Sequence, residues 1–207
     1  MELTVAQVAA HADRSERAVQ LALRSGALSG HRTLGRASTV DDLAANAWIR
    51  ASTRGRPWGA ATRDAALDLL STGSTDRLGS TARARLRARL AGMTAADIAH
   101  AAGGLGTWAR YRGHADDALP RVGPSAVVAR SLGLVDGESW MTYVQVGSLD
   151  TFELQHDVTL DADGNLGVLQ RGGPVDDRVA RLLVDTYLLG SPRESVAAAA
   201  ELEGWAR

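Results

Sequence analysis

Residues 4–28, TVAQVAAHADRSERAVQLALRSGAL, set two short helical patterns on either side of a polar break of about three residues, and that spacing limits what the chain can build. Thr4 and Gln7 have capping-box spacing, and Val5, Val8 and Ala9 form an apolar stripe, so the first helix runs to about Ala12. Asp13 and Arg14 make the break. Ser15 is a good N-cap for a second helix that gathers Ala18, Val19, Ala22 and Leu23 on one face and leaves Glu16, Arg17, Gln20 and Arg24 off it. Gly26 ends that helix. Helices this short, joined this closely, cannot lie antiparallel over much length, so they cross steeply, which is helix-turn-helix geometry. Two ordinary core helices would read the same way.

The next stretch, GHRTLGRASTVDDLAANAWIRAS, reads as strand, tight Leu34-Gly35 turn, strand, and a helix capped at Thr39 with Asp42 in the capping-box position. In a DNA-reading head, Arg17 and Gln20 reach base edges, Ser15 at the helix N-terminus suits a phosphate, and His31, Arg32 and Arg36 on the hairpin meet the backbone or minor groove. Arg24 shares the polar side of the second helix and joins the candidate DNA-binding set.

In this order, LTVAQVAAHADRSERAVQLALRSGAL, a basic hairpin and TVDDLAA, residues 1 to about 50 resemble the excisionase-type, MerR-like winged helix-turn-helix family. The resemblance implies that the second helix enters the major groove and the wing touches the backbone, which assigns Arg14, Ser15, Arg17, Gln20, Arg32 and Arg36 to DNA. One departure is that Gln20 and Leu21 stand where the family often has an aromatic and a basic residue, which thins the charge of the groove-facing surface.

Charge divides the chain. Residues 1–112 hold 16 arginines against nine acids, a net +7, whereas residues 113–207 hold seven arginines against 15 acids, a net −8. A basic half is what a polyanion binder needs, because cationic side chains displace phosphate counterions. Attraction between the halves, or to a partner subunit, would also account for it. The chain has no lysine, so the use of arginine alone carries no nucleic-acid signal. Its 207 residues, 45% of them hydrophobic, fit one or two domains with a real core. With no apolar run near the roughly 18 residues of a membrane span and no basic, apolar start, the expectation is a soluble, cytoplasmic protein that avoids membranes. The absence of cysteine excludes thiol catalysis and Cys-ligated zinc.

RASTRGRPWG, residues 50–59, reads as a boundary, with a linker at 53–57 between a DNA-binding unit at 1–52, a basic helical segment at 58–112 and an acidic α+β unit at 113–207. Helices are predicted from Ala60 to Leu70, over STARARLRARLAGM and from a Thr94 cap. The arginines 83, 85, 87 and 89 flank a narrow Leu86/Leu90 stripe, and suit a solvated face, phosphate or an acidic partner. GGLG at 103–106 lacks the strand and the Lys-Ser/Thr ending of a phosphate loop and reads as a turn. WMTYVQV, FELQHDVTL and NLGVLQR alternate, which predicts an antiparallel meander with DADGN as a hairpin turn. In DADGN, Asp161, Asp163 and Asn165 open like a calcium loop, but Leu166 and Gly172 occupy its required Gly and Glu positions. PVDDRVARLLVDTYLLG is an amphipathic helix, and SPRE, with Ser191, Pro192 and Glu194, starts the last one. The fold class is therefore α+β: a winged helix-turn-helix, a helical segment, and a C-terminal antiparallel sheet with closing helices.

The histidines 11, 31, 100, 114 and 156 are scattered, and His156 falls on one alternating face with Leu154 and Val158, as a core histidine would. No nucleophile elbow or phosphate loop occurs, so the sequence reads against an enzyme and calls for no cofactor or metal. From residue 55 on, GRPWGAATRDAALDLLSTG, LGSTARARLRARLAG, WARYRGHADDALPRV and LLVDTYLLGSPRESVAAAAELE are similar in order to antitoxin-like bacterial regulators encoded beside abortive-infection nucleotidyltransferase toxins. That likeness implies an autorepressing antitoxin whose partners are double-stranded operator DNA and a cognate toxin. An excisionase-like regulator without a toxin, or an effector-sensing repressor with an apolar pocket in 113–207, stays open. A single short head favours a homodimer on two half-sites, with 175–189 and 192–203 as the candidate interface.

Overall fold

A computed structural model describes residues 1–34, 37–51, 57–126, 129, 132–133, 141–171 and 176–206. The chain is mixed α+β with two sheets. Strand β1 (Glu2–Thr4) leads into α1 (Val5–His11), where Thr4 and Gln7 form a reciprocal capping box. At the other end of α1, Asp13 adopts φ 50° and the amides of Asp13 and Arg14 return to Ala10 and Ala9, a Schellman turn that redirects the chain. Ser15 then caps α2 (Glu16–Arg24), which ends before Gly26 at φ 72°. Val8, Ala9, Val19 and Ala22 are buried where α1 and α2 cross.

Strands β2 (His31–Leu34) and β3 (Ala37–Asp41) form the expected hairpin, with Leu34 opposite Ala37, and β1 adds antiparallel to the other edge of β3. Gly35 and Arg36, at its tip, lie outside the described residues. Helix α3 (Asp42–Arg50) is not capped by Thr39, which belongs to β3. Its cap is Asp41, whose Oδ1 accepts from the amides of Leu43 and Ala44 at 3.0 and 3.2 Å. The strand simply continues two residues further than the cap signal suggested. Of the expected linker, residues 53–56 lie outside the described residues.

Helices α4 (Ala60–Thr72), α5 (Ser80–Leu90) and α6 (Ala95–Ala101) follow, the last with the expected Thr94 cap. The second sheet contains β4 (Thr107–Gly113), β5 (Thr142–Val146), β6 (Val158–Leu160) and β7 (Leu166–Gln170), in the order β5-β7-β4-β6. It is mixed, not purely antiparallel: β5 and β7 run parallel, and β4 is antiparallel to both of its neighbours. The expected boundary at 112/113 falls at the end of β4, whose partners on both sides come from the half that follows.

Two further expectations are corrected. FELQHDVTL is not one strand, because Ser148 caps a helix, α7 (Leu149–Gln155), and only Val158–Leu160 is extended. Leu149 and Phe152 pack inward at helical spacing, while Leu154 is 88% exposed and His156 stacks against Phe152 at 4.6 Å. DADGN is not a hairpin turn, since β6 and β7 lie on opposite sides of β4 and run the same way. The segment steps over β4 at Gly164, where an added Cβ would stand 2.0 Å from the Tyr111 carbonyl oxygen.

Helix α8 (Val179–Leu189) is buried on all sides, and α9 (Pro192–Trp205) packs along it behind a Ser191–Glu194 capping box. A single buried cluster runs from Leu3 in β1 through Trp108 and Leu183 to Ala206. Among the described residues, no helix is long and apolar enough to cross a membrane.

Candidate nucleic-acid interface

Because Val19 and Ala22 anchor α2 to α1, its opposite face is turned outward. Arg17, Gln20, Leu21 and Arg24 are all exposed there, and at about 100° per residue Arg17 and Arg24 lie nearly one above the other with Gln20 beside them. The Ser15 hydroxyl at the head of this helix accepts from the Ala18 amide at 3.3 Å and remains exposed. The start of α1 and the hairpin flank the same face. Gln20, Arg24 and His31, together with Thr4 and Ser38, line one open cleft of about 490 Å³. A surface of this shape offers guanidinium forks and an amide to a polar, anionic edge, with the hairpin alongside.

The other candidate residues sit elsewhere. Arg14 leaves the turn toward α3, with its guanidinium 5.9 Å from the centroid of the Trp48 ring. Arg32 projects from the opposite side of the hairpin to His31 and forms an ion pair of 3.7 Å with Glu2, whose other oxygen accepts from the Thr39 hydroxyl. Arg32 also borders a cavity of about 430 Å³ between the hairpin and β4. The structure thus sets Ser15, Arg17, Gln20 and Arg24 along the exposed side of α2, brings Gln20 and Arg24 together with His31, and turns Arg14 to Trp48 and Arg32 to Glu2. Arg36 lies outside the described residues.

What holds this face in place was only partly visible in the sequence. Trp108 of β4 donates from its indole N–H to Asp41 Oδ1 at 3.1 Å, and Arg110, 6% exposed, donates to Asp42 at 3.3 Å and stands 3.6 Å from the second Asp41 oxygen. Burial pushes the Asp41 carboxyl above its ordinary value, against the amides of α3 and Arg110, which favour the charged form. On the far side, Arg50 Nη1 donates to the carbonyls of Tyr187, Leu188 and Gly190 at 2.9–3.1 Å, and Tyr187 Oη donates back to the Arg50 carbonyl. Desolvation lowers the Arg50 guanidinium pKa, and the carbonyl cluster is its polar compensation. Glu2, Asp41, Trp48, Arg50, Trp108 and Arg110 were not singled out from the sequence, because each acquires its role from a partner distant in the chain. Compared with known proteins, the chain matches no family model, no curated protein and no solved structure.

Proposed function

We propose that the protein is a double-stranded-DNA-binding transcriptional repressor whose head, a winged helix-turn-helix, reads the major groove with α2. The observation that carries this reading is the outward face of α2, where Arg17, Gln20 and Arg24 stand exposed and Gln20 and Arg24 share a cleft with His31 of the hairpin. Base reading falls to Arg17 and Gln20, with Arg24, Ser15 and the hairpin holding the phosphates. Footprinting of the full chain on its own promoter tests the proposal: protection that weakens steeply with salt supports it, and no protection at low salt overturns it.

The antitoxin reading is favoured by a second surface. On α7, Leu154 is 88% exposed one helical turn from Asp150, an apolar side chain on an acidic stretch that suits a basic partner protein. Co-expression with the product of the adjacent open reading frame tests it. Leu154→Arg should remove protection while leaving operator binding unchanged. Dimerisation on the operator is also part of the proposal, but α8 has no free apolar face to give, so the exposed side of α9 at Val196 and Ala200 is the one available to it.

A further inference from the structure

Helix α4, the turn at 103–106, the ends of β5 and β7, and the start of α8 line a cavity of about 760 Å³. That volume falls within the usual range for small-molecule sites. Its wall is unusual for such a site, because among the described residues no aromatic side chain lines it and Leu67 is the one large apolar side chain. The remainder is charged, amide or glycine backbone.

The charges are already matched. Arg178 binds Asp64, Asp68 and Asp176 at 2.5–3.3 Å, and Arg77 also holds Asp68. In the wall, Arg171 and Arg181 both reach back to the fully buried Asp185 at 2.6 Å. Five arginines are thus offset by four lining aspartates and Asp185, which leaves little net field to attract an ion.

Hydrogen-bonding capacity is left over, however. Gln145, only 4% exposed, lines the cavity from β5, and its Oε1 has no donor among the described residues. Arg181, also in the wall, leaves its Nε–H without an acceptor among them. Buried groups of this kind are costly unless something pairs with them. The lining therefore asks for a ligand that is uncharged and supplies donors and acceptors together. Hydroxyl groups do both.

We propose that this cavity binds an uncharged polyhydroxylated small molecule, of the size of a mono- or disaccharide, with the Gln145 amide as its principal anchor. Gly103, Gly104 and Gly106, at φ 89°, 65° and 86°, present backbone without side chains to the cavity, and hydroxyls can approach it closely there. The site does not depend on the DNA-binding reading, and its test uses no DNA.

Isothermal titration of the full chain with a panel of uncharged mono- and disaccharides and polyols tests the proposal. Sugar phosphates, nucleoside monophosphates and amino acids are the charged comparators. Saturable binding of an uncharged member, weakened roughly tenfold or more by Gln145→Met in a variant with unchanged circular dichroism, supports it. Slowed hydrogen exchange at amides 103–107 in the unaltered chain under the same sugar supports it without relying on any variant. Binding confined to the charged comparators, binding untouched by Gln145→Met, or no heat and no exchange protection with any uncharged member overturns it.

Discussion

At Gly164 a hydrogen in place of a side chain lets the chain cross from one side of β4 to the other, with the Arg110 side chain donating to the Gly164 carbonyl at 2.8 Å as it passes. Gly164→Ala places a methyl on the Tyr111 carbonyl and should cost at least about 3 kcal/mol, measured as a lower denaturation midpoint. Asp185 is the second residue on which much turns. Burial raises its carboxyl pKa, but the charges and hydrogen bonds of Arg171 and Arg181 outweigh burial and hold it below the ordinary value. Its stabilising effect is therefore complete above the unfolded pKa, about 4, and is lost as pH falls through the lower folded value. Asp185→Asn should cost about 3–5 kcal/mol at neutral pH and flatten the acid limb of a stability-versus-pH curve. Neither role could be read from the sequence, since Gly164 lay in an apparent hairpin turn and Asp185 in an ordinary amphipathic helix.

Local signals were most legible at the level of elements. The Thr4, Ser15, Thr94 and Ser191 caps all lie within a few residues of the groups they satisfy, and all stand where the sequence put them. Alternation was the weaker guide: in FELQHDVTL it fitted a strand, yet Leu149 and Phe152 also fit one helical turn, and the Ser148 cap decides between them. The exposure of the arginines was legible along α2, where helical spacing fixes the outward side, and not their direction at the turn or hairpin, where an arginine can face either way. Two substitutions separate these cases. Arg17→Ala should weaken operator binding by about 1–3 kcal/mol and relax base preference with no change in melting, read by titration on altered sites. Arg14→Ala should lower the melting temperature through loss of its Trp48 contact while changing operator affinity less than Arg17→Ala does.

Across the whole molecule, the helix–helix–hairpin–helix order and the α+β class were legible, but the way the parts close on one another was not. Two pairings tie residues near 41 and 50 to residues near 108 and 188, and no pattern within either segment announces the other. With one buried cluster spanning both ends of the chain, a protein ending at residue 112 should lose its cooperative melting transition along with DNA binding. Arg50→Met, which removes three carbonyl contacts at once, should cost about 2–3 kcal/mol in chemical denaturation. Helix α8 joins these ends, with Arg181 lining the cavity and paired to Asp185, and the carbonyls that receive Arg50 at its terminus. Its 11 residues act as a ruler of about 16 Å, and its register is as fixed as its length. One inserted residue between Asp185 and Tyr187 would turn everything beyond it by about 100° and shift it by about 1.5 Å, so that Arg50 could no longer meet the helix end while Asp185 kept its two guanidiniums. Related chains should therefore keep both the residue count of this helix and the two-residue turn after it, where the Gly190 carbonyl also receives Arg50.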